Sequence, residues 1–243
     1  MQVIGFAGVA RVGKSYATNA LKEVAEAAGW HVIVLPFAKP LKDEAEARGY
    51  GKESNPEEYR KFCQEHGAEM RAQNSNHWLD EWYKMVKDIK TKESNDEYGA
   101  PVLVISDDVR YENELAAIRG NSGLVVYLTP GDRVLDEADA EWRKHESEAL
   151  ANSVLGNRKM HEKMFDYFVI NHGEAYGMRK WAENFFASII NFPGSPDQVC
   201  TCEGCMHKIE NRPVDKDQLN KELDDLLDKL GENLEENNDD DDA

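Results

Sequence analysis

Long apolar runs are missing from this 243-residue sequence. None approaches the roughly 20 residues that a spanning helix needs, so no membrane segment is expected. A basic stretch followed by an apolar run is missing from the start, so no signal peptide is expected either. Positive charge is scarce: 29 Lys and Arg stand against 47 Asp and Glu, for a net charge of −18. Broad nucleic-acid binding needs a basic surface that displaces phosphate counterions, and the composition argues against it. A small anion held in a local basic pocket stays open. Cysteine is limited to four residues, with Cys63 alone and Cys200, Cys202 and Cys205 clustered. That is not a spaced disulfide framework, and a reducing cytoplasm is the expected setting.

The acid that is present is unevenly placed. From Val214 onward thirteen Asp and Glu stand against three Lys, a local net of −10, which leaves −8 for everything before it. The segment "NFPGSPDQV" after Ile190 carries two prolines and a glycine, a linker signature. The expected organisation is therefore a main domain over 1–192, a linker with a Cys-rich turn over 193–213, a short amphipathic helix over 214–230 and a disordered acidic tail over 231–243.

Within 1–192 five short apolar runs recur: Val3–Ala7, His31–Phe37, Val102–Ser106, Leu124–Leu128 and Tyr167–Ile170. Helix-like patterns separate most of them, namely Ser15–Ala28, Lys42–Arg48, Pro56–Arg71 and Asn76–Lys92, with Met178–Ile190 closing the domain. Continuous apolar runs alternating with helices predict a parallel sheet buried on both faces. The helices of 39–98 form a long insert between the second and third strands.

The stretch "GFAGVARVGKS" meets the pattern G-x-x-x-x-G-K-S at Gly8, Gly13, Lys14 and Ser15. Glycines let backbone N–H groups turn inward around phosphate oxygens. Lys14 brings positive charge to the β- and γ-phosphates, the Ser15 hydroxyl suits Mg²⁺, and the following helix aims its positive end at the same anion. A strand precedes the loop and a helix follows it, as that mechanism requires. Gly8, Ala10, Arg11, Val12, Gly13, Lys14, Ser15 and Tyr16 are the expected phosphate contacts of ATP. Further on, "PVLVISDDVRYENE" puts Asp107, Asp108 and Arg110 at the carboxyl end of the third strand. In an open parallel sheet that edge faces the ligand crevice. A carboxylate there holds Mg²⁺, and an arginine clamps a phosphate with two N–H groups. The bland alternative is that Asp107 or Asp108 caps the next helix.

These motifs, taken in order, resemble the bacteriophage-type deoxynucleoside monophosphate kinases of the P-loop kinase superfamily. The carrying segments are "GVARVGKS", "FAKPLKDEAEARG", "CQEHGAEMRAQNSNHWLDEW", "SDDVRYENE", the weaker "RKHESE", and "FVINHGEAYGMRKWAENF". The resemblance covers roughly 1–190. It implies a three-layer P-loop kinase fold with a five-stranded parallel sheet, a helical acceptor-binding insert over 39–98 and a lid over 130–148. It implies transfer of the γ-phosphate of Mg²⁺-bound ATP to a (deoxy)nucleoside monophosphate, in the cytoplasm, the host's if the chain is phage-encoded. Two departures stand out. Ser15 and Tyr16 follow the loop lysine where the family often has Asp and Thr, and Thr129 stands where an arginine often ends the strand before the lid.

On this reading Lys14, Asp108 and Arg110 carry the transfer, with Ser15 and Asp108 on Mg²⁺. Lys42, Arg71, Arg110 and Glu114 would surround the acceptor phosphate, and Phe37 and Trp78, with Trp82 nearby, would wall the base. Spacing of four equally suits helical core packing for Trp78 and Trp82. Arg133, Arg143, Lys144 and His145 are the lid candidates, with Glu148 beside them. Cys200, Cys202, Cys205 and His207 are either free thiols in a linker or a Cys₃His structural Zn²⁺ site. Another small-molecule P-loop kinase, acting on a coenzyme A precursor or a sugar acid, is the near alternative. A nucleotide-binding regulator without transferase activity is the more distant one. Oligomeric state, a homodimer included, is left open by the sequence.

Overall fold

The computed structural model describes residues 1–130, 146–156, 163–173 and 175–191. In chain order the elements are β1 (Gln2–Ala7), α1 (Lys14–Ala27), β2 (His31–Val34), α2 (Lys39–Ala47), α3 (Pro56–Gln73), α4 (His77–Ser94), β3 (Val102–Val109), α5 (Glu112–Gly120), β4 (Leu124–Pro130), a 3₁₀ turn (Glu146–Glu148), α6 (Ala149–Gly156), β5 (Tyr167–Asn171) and α7 (Ala175–Asn191). The expected linker, amphipathic helix and acidic tail lie outside the described residues.

Five strands pair in the order β2-β3-β1-β4-β5, all parallel. Alternation along each strand sorts its side chains between two cores. Ile4 and Phe6, Leu103 and Ile105, and Val126 and Leu128 meet Ala17, Leu21 and Ala25 of α1 and Trp181, Phe185 and Ile189 of α7. Val3 and Ala7, Val102 and Val104, and Val125 and Tyr127 meet Leu79, Trp82 and Val86 of α4 and Leu115 and Ile118 of α5. Apolar side chains on both faces explain why these strands read as unbroken apolar runs rather than alternating ones.

All five expected strands are present. β3 runs three residues further than Ser106, so Asp107 and Asp108 lie inside the strand. β1 takes up this extension with a register shift, pairing Gly5 with Ser106 but Ala7 with Val109. The sequence pattern predicts no helix over Glu112–Gly120 or Ala149–Gly156, and both are helical.

Trp82 is central to the packing of the insert on the sheet. Trp82 of α4 is fully buried and its ring stacks on Phe37 with centroids 4.7 Å apart. Its indole N–H donates to the Leu35 carbonyl and to Ser106 Oγ, each at 3.2 Å. Trp82→Ala removes this packing and leaves a cavity, for an expected loss of about 3–5 kcal/mol. Urea unfolding measures it, and a loss under about 1 kcal/mol would show that the insert is held some other way.

Candidate active site

The loop between β1 and α1 is shaped by two glycines in left-handed or related backbone. Gly8 has φ 136° and Gly13 has φ 100°. A Cβ at Gly8 would lie 2.4 Å from the Leu128 carbonyl oxygen, and one at Gly13 would lie 2.3 Å from Asn171 Nδ2. Neither position admits a side chain, because conformation and space both exclude it. Asn171 ends β5 and is buried. Its Nδ2 donates to the Val12 carbonyl at 2.8 Å, and its Oδ1 accepts the Gly173 N–H at 2.9 Å. Sequence reading misses Asn171; the available signal is a polar residue closing an apolar strand at the ligand edge. Helix α1 starts at Lys14 with no acidic residue in its first turn, which leaves its positive end clear for an anion. Ser15 and Tyr16 are exposed there.

Lys14 folds back over the loop. Its Nζ donates to the Gly8 carbonyl at 2.6 Å and the Val9 carbonyl at 3.0 Å. Burial, and then the Arg110 charge, push its pKa down to about 8, against the pull of Glu148, Asp108 and Asp107. The ammonium is thus held among carbonyls and carboxylates in a setting that a polyphosphate would complete.

The two aspartates do different things. Alternation puts Asp108 on the same side of β3 as Ser106. There its Oδ1 accepts the Phe37 N–H at 2.7 Å and its Oδ2 the Ala38 N–H at 3.1 Å, with Lys42 Nζ 3.5 Å away. Asp108 therefore anchors the entry to α2 from another strand. It does not cap the helix that follows it, whose N-cap is Tyr111. Its expected place on Mg²⁺ meets competition, because both oxygens are already engaged. Asp107 lies beside Asp108 where the register with β1 shifts, between Ser106 and Val109, which both meet the insert side of the sheet. Burial and the neighbouring Asp108 raise its pKa, while Lys42 and Lys14 oppose the rise. Asp107 thus lies in the field of both Lys42 and Lys14.

Beyond β3 the chain turns into α5. Glu114 is buried, and its Oε2 accepts the N–H groups of Arg110 at 2.7 Å and Tyr111 at 3.1 Å. Burial first, then Asp108, raises its pKa to about 8. Glu114, expected at the substrate, is a helix-start brace instead, because a buried carboxylate is retained where backbone donors satisfy it. Arg71, in the last turn of α3, lays its guanidinium 4.4 Å over the Tyr111 ring and donates to the Gly67 carbonyl at 3.3 Å. Arg110 Nη1 donates to Ser147 Oγ at 3.0 Å and pairs with Glu148. The structure thus brings Lys14, Lys42, Arg71 and Arg110 to one edge of the sheet through partners on β3, α5 and the 3₁₀ turn.

Phe37 and Trp78, expected to wall the base, are engaged in packing. Phe37 and Trp78 are both 2% exposed. Phe37 is stacked on Trp82, and the Trp78 indole N–H donates to the Gly67 carbonyl at 3.2 Å with His66 and His77 edge-on. Phe37 packs the chain after β2 on α4, and Trp78 joins α4 to α3. Arg133, Arg143, Lys144 and His145 lie outside the described residues, as do Cys200, Cys202, Cys205 and His207. Among the described residues no group of three or more His, Cys, Asp and Glu is arranged to hold a metal ion. No described helix is long and apolar enough to cross a membrane.

A parallel sheet with a strand–glycine loop–helix unit at its first strand and cations at its carboxyl edge defines a P-loop α/β protein. No protein family matches the chain by sequence, and no curated protein does. Among solved structures it is similar to dephospho-CoA kinase from Campylobacter jejuni, at 14% identity and a TM-score of 0.40, covering 78% of this chain and 98% of that one. It is also similar to shikimate kinase from Bacteroides thetaiotaomicron, at 13% identity and a TM-score of 0.38, covering 79% of this chain and 99% of that one. Function must therefore be sought in this chain's own residues.

Glu114 titrates near 8 in the fold against 4.5 for a free carboxyl, so the folded chain binds more protons across that window. The stability this provides is present below the unfolded value and is lost as pH rises through about 8. Glu114→Gln keeps an acceptor without the charge, so its melting temperature should gain on the wild type as pH goes from about 5 to about 9. A constant gap would refute the assignment. Lys14 is half protonated near pH 8, and polyphosphate binding should return it towards 10.5. Calorimetry of ADP binding in buffers of different ionisation enthalpy should then show proton uptake at about pH 8 and none at about pH 6.5. Equal uptake at both would place the proton elsewhere.

Proposed function

We propose that this chain transfers the γ-phosphate of ATP to a (deoxy)nucleoside monophosphate. The observation that carries the reading is the meeting of two sets of groups at the carboxyl edge of β1 and β3. One is a phosphate loop with Lys14. The other is a set of cations, Lys42, Arg71 and Arg110, carried by the insert and by the end of β3. A donor with several phosphates needs the first set, and a dianionic acceptor needs the second.

Phosphoryl transfer demands alignment and charge neutralisation more than covalent chemistry. The loop amides and the start of α1 hold the donor phosphates, and Lys14 leaves the Gly8 and Val9 carbonyls for them. Arg110 and Arg71 neutralise the acceptor phosphate. An oxygen of that phosphate forms the new bond to the γ-phosphorus as the bond to the β–γ bridging oxygen breaks, and ADP leaves with the electron pair. The attacking oxygen is already anionic near neutrality, so no strong base is needed. Mg²⁺ bound with ATP would supply further neutralisation. Ser15, exposed at the start of α1, and Asp107, whose carboxylate lies in the field of Lys14, are the fitting holders. Few protein ligands are expected, because Mg²⁺ takes phosphate and water for the rest. Residues 1–192 form the proposed transferase unit, with the Cys-rich turn and acidic tail outside it.

Release of ADP from ATP and Mg²⁺ with a panel of acceptors tests the reading. The panel holds deoxy- and ribonucleoside monophosphates, a coenzyme A precursor and a sugar acid. Turnover with a monophosphate is expected, lost almost wholly in Lys14→Ala. Arg71→Ala and Arg110→Ala should each lose at least about tenfold in kcat/KM for the acceptor, since a charge-assisted hydrogen bond is worth about 1.5–3 kcal/mol. Turnover with only the precursor or the sugar acid would move the chain to another small-molecule kinase. ADP release that needs no acceptor would favour a regulator.

A further inference from the structure

Glu148 is buried at the site, at 4% exposure, and takes no part in the steps above. Its Oε2 accepts the N–H of Ala10, in the phosphate loop, at 3.0 Å. Its Oε1 pairs with Nη1 of Arg110. The neighbouring Ser147 hydroxyl accepts from the same nitrogen at 3.0 Å. One carboxylate thus touches the donor loop and an acceptor-side cation, 138 and 38 residues away along the chain.

The base of this contact is rigid. Glu148 leads directly into α6, where Ala151 and Val154 are buried, one in each core. The Tyr127 hydroxyl donates to the Ala151 carbonyl at 2.8 Å and ties α6 to β4. The contact also leaves Arg110 available. A guanidinium carries five N–H donors and the pair engages one nitrogen, while the Arg110 side chain keeps 36% exposure against 5% for Glu148. A free arginine would sample many rotamers and lose that freedom on meeting a phosphate.

We propose that Glu148 is a positioning residue that fixes the Arg110 guanidinium relative to the phosphate loop, so that donor and acceptor charges meet in one alignment. This rests on the phosphotransferase reading. The charge balance supports it: Arg110 pushes the Lys14 pKa down and Glu148 pushes it up, so the carboxylate lets two cations share one site.

The test uses the full chain with Glu148→Ala, Glu148→Gln, Arg110→Ala and the Glu148→Ala/Arg110→Ala double variant. Two readouts are taken: calorimetric binding of ADP, which needs no transfer, and steady-state kinetics with ATP, Mg²⁺ and the best acceptor. Glu148→Ala should bind ADP several-fold more weakly and lose at least about tenfold in kcat/KM for the acceptor. Glu148→Gln, which retains hydrogen-bonding atoms for both partners, should recover part of each loss. In the Arg110→Ala background the further kinetic loss from Glu148→Ala should shrink several-fold. Equal losses in both backgrounds would show that Glu148 acts apart from Arg110, and overturn the proposal. A lowered melting temperature with unchanged ADP binding and kinetics would reduce Glu148 to a structural contact, and overturn the proposal too. Tighter ADP binding in Glu148→Gln would mark the carboxylate as a competitor of phosphate, and overturn it as well. A wild type that binds ADP but phosphorylates no acceptor would sink the transferase reading alone. The brace would then be judged by ADP affinity across the four variants, with non-additive losses expected and additive ones fatal to it.

Discussion

Everything at the site depends on how closely the β1–α1 turn lies against its neighbours. The backbone at Gly8 passes under the Leu128 carbonyl, and at Gly13 it passes under Asn171, with no room for a Cβ at either point. That proximity sets where α1 begins, and so where its positive end points. It also sets the carbonyls of Gly8 and Val9 around the Lys14 ammonium. A looser turn would put Lys14 in water, where its charge would be screened and its pKa would stay near that of a surface lysine. The glycines therefore act less through flexibility than through the space they leave.

From that turn outward the site is a problem of charge storage. Lys14 and Arg110 lie close enough for the arginine to lower the lysine's pKa, yet both are part-buried. Asp107, Asp108, Glu114 and Glu148 surround them, and their burial differs in consequence. Glu148 is satisfied by a cation and an amide, and Asp108 by two amides and Lys42. Glu114 has two amides, and burial still raises its pKa to about 8. Asp108, Glu114 and Glu148 are tolerated because each has donors aimed at it, and Asp108 and Glu148 each tie two elements together.

The sheet is readable from the sequence because strands buried on both faces leave unbroken apolar runs. The loop is readable because its chemistry requires a fixed spacing of glycine, lysine and serine. What escapes is anything set by long-range contact. Asp108 reads as a site carboxylate, but its partners are the N–H groups of residues 37 and 38, some seventy positions away. Phe37 and Trp78 read as a base wall, yet Phe37 stacks on Trp82 of α4 and Trp78 packs between α3 and α4. Glu148 sits in a weakly recognisable segment, and only the fold shows that it reaches Ala10. The short α6 lacks the length over which helical periodicity becomes visible.

The end of β3 explains why so many elements converge on so few residues. A strand that shifts register re-aims the side chains beside the irregularity, so Ser106, Asp107, Asp108 and Arg110 can reach different elements. Ser106 faces the insert, accepting from Trp82 and donating to the Leu35 carbonyl at 2.7 Å. Asp107 lies in the field of both Lys42 and Lys14. Asp108 takes the N–H groups that open α2. Arg110, just past the strand, reaches the turn before α6, while its own N–H is held by Glu114 of α5. Extending β3 to Val109 is what gives the strand this reach, and the register shift in β1 between Gly5 and Ala7 is what makes room for it. The irregularity in the sheet and the assembly of the site are thus one structural event. It lies where β1 passes into the glycine loop and β3 leads to Arg110.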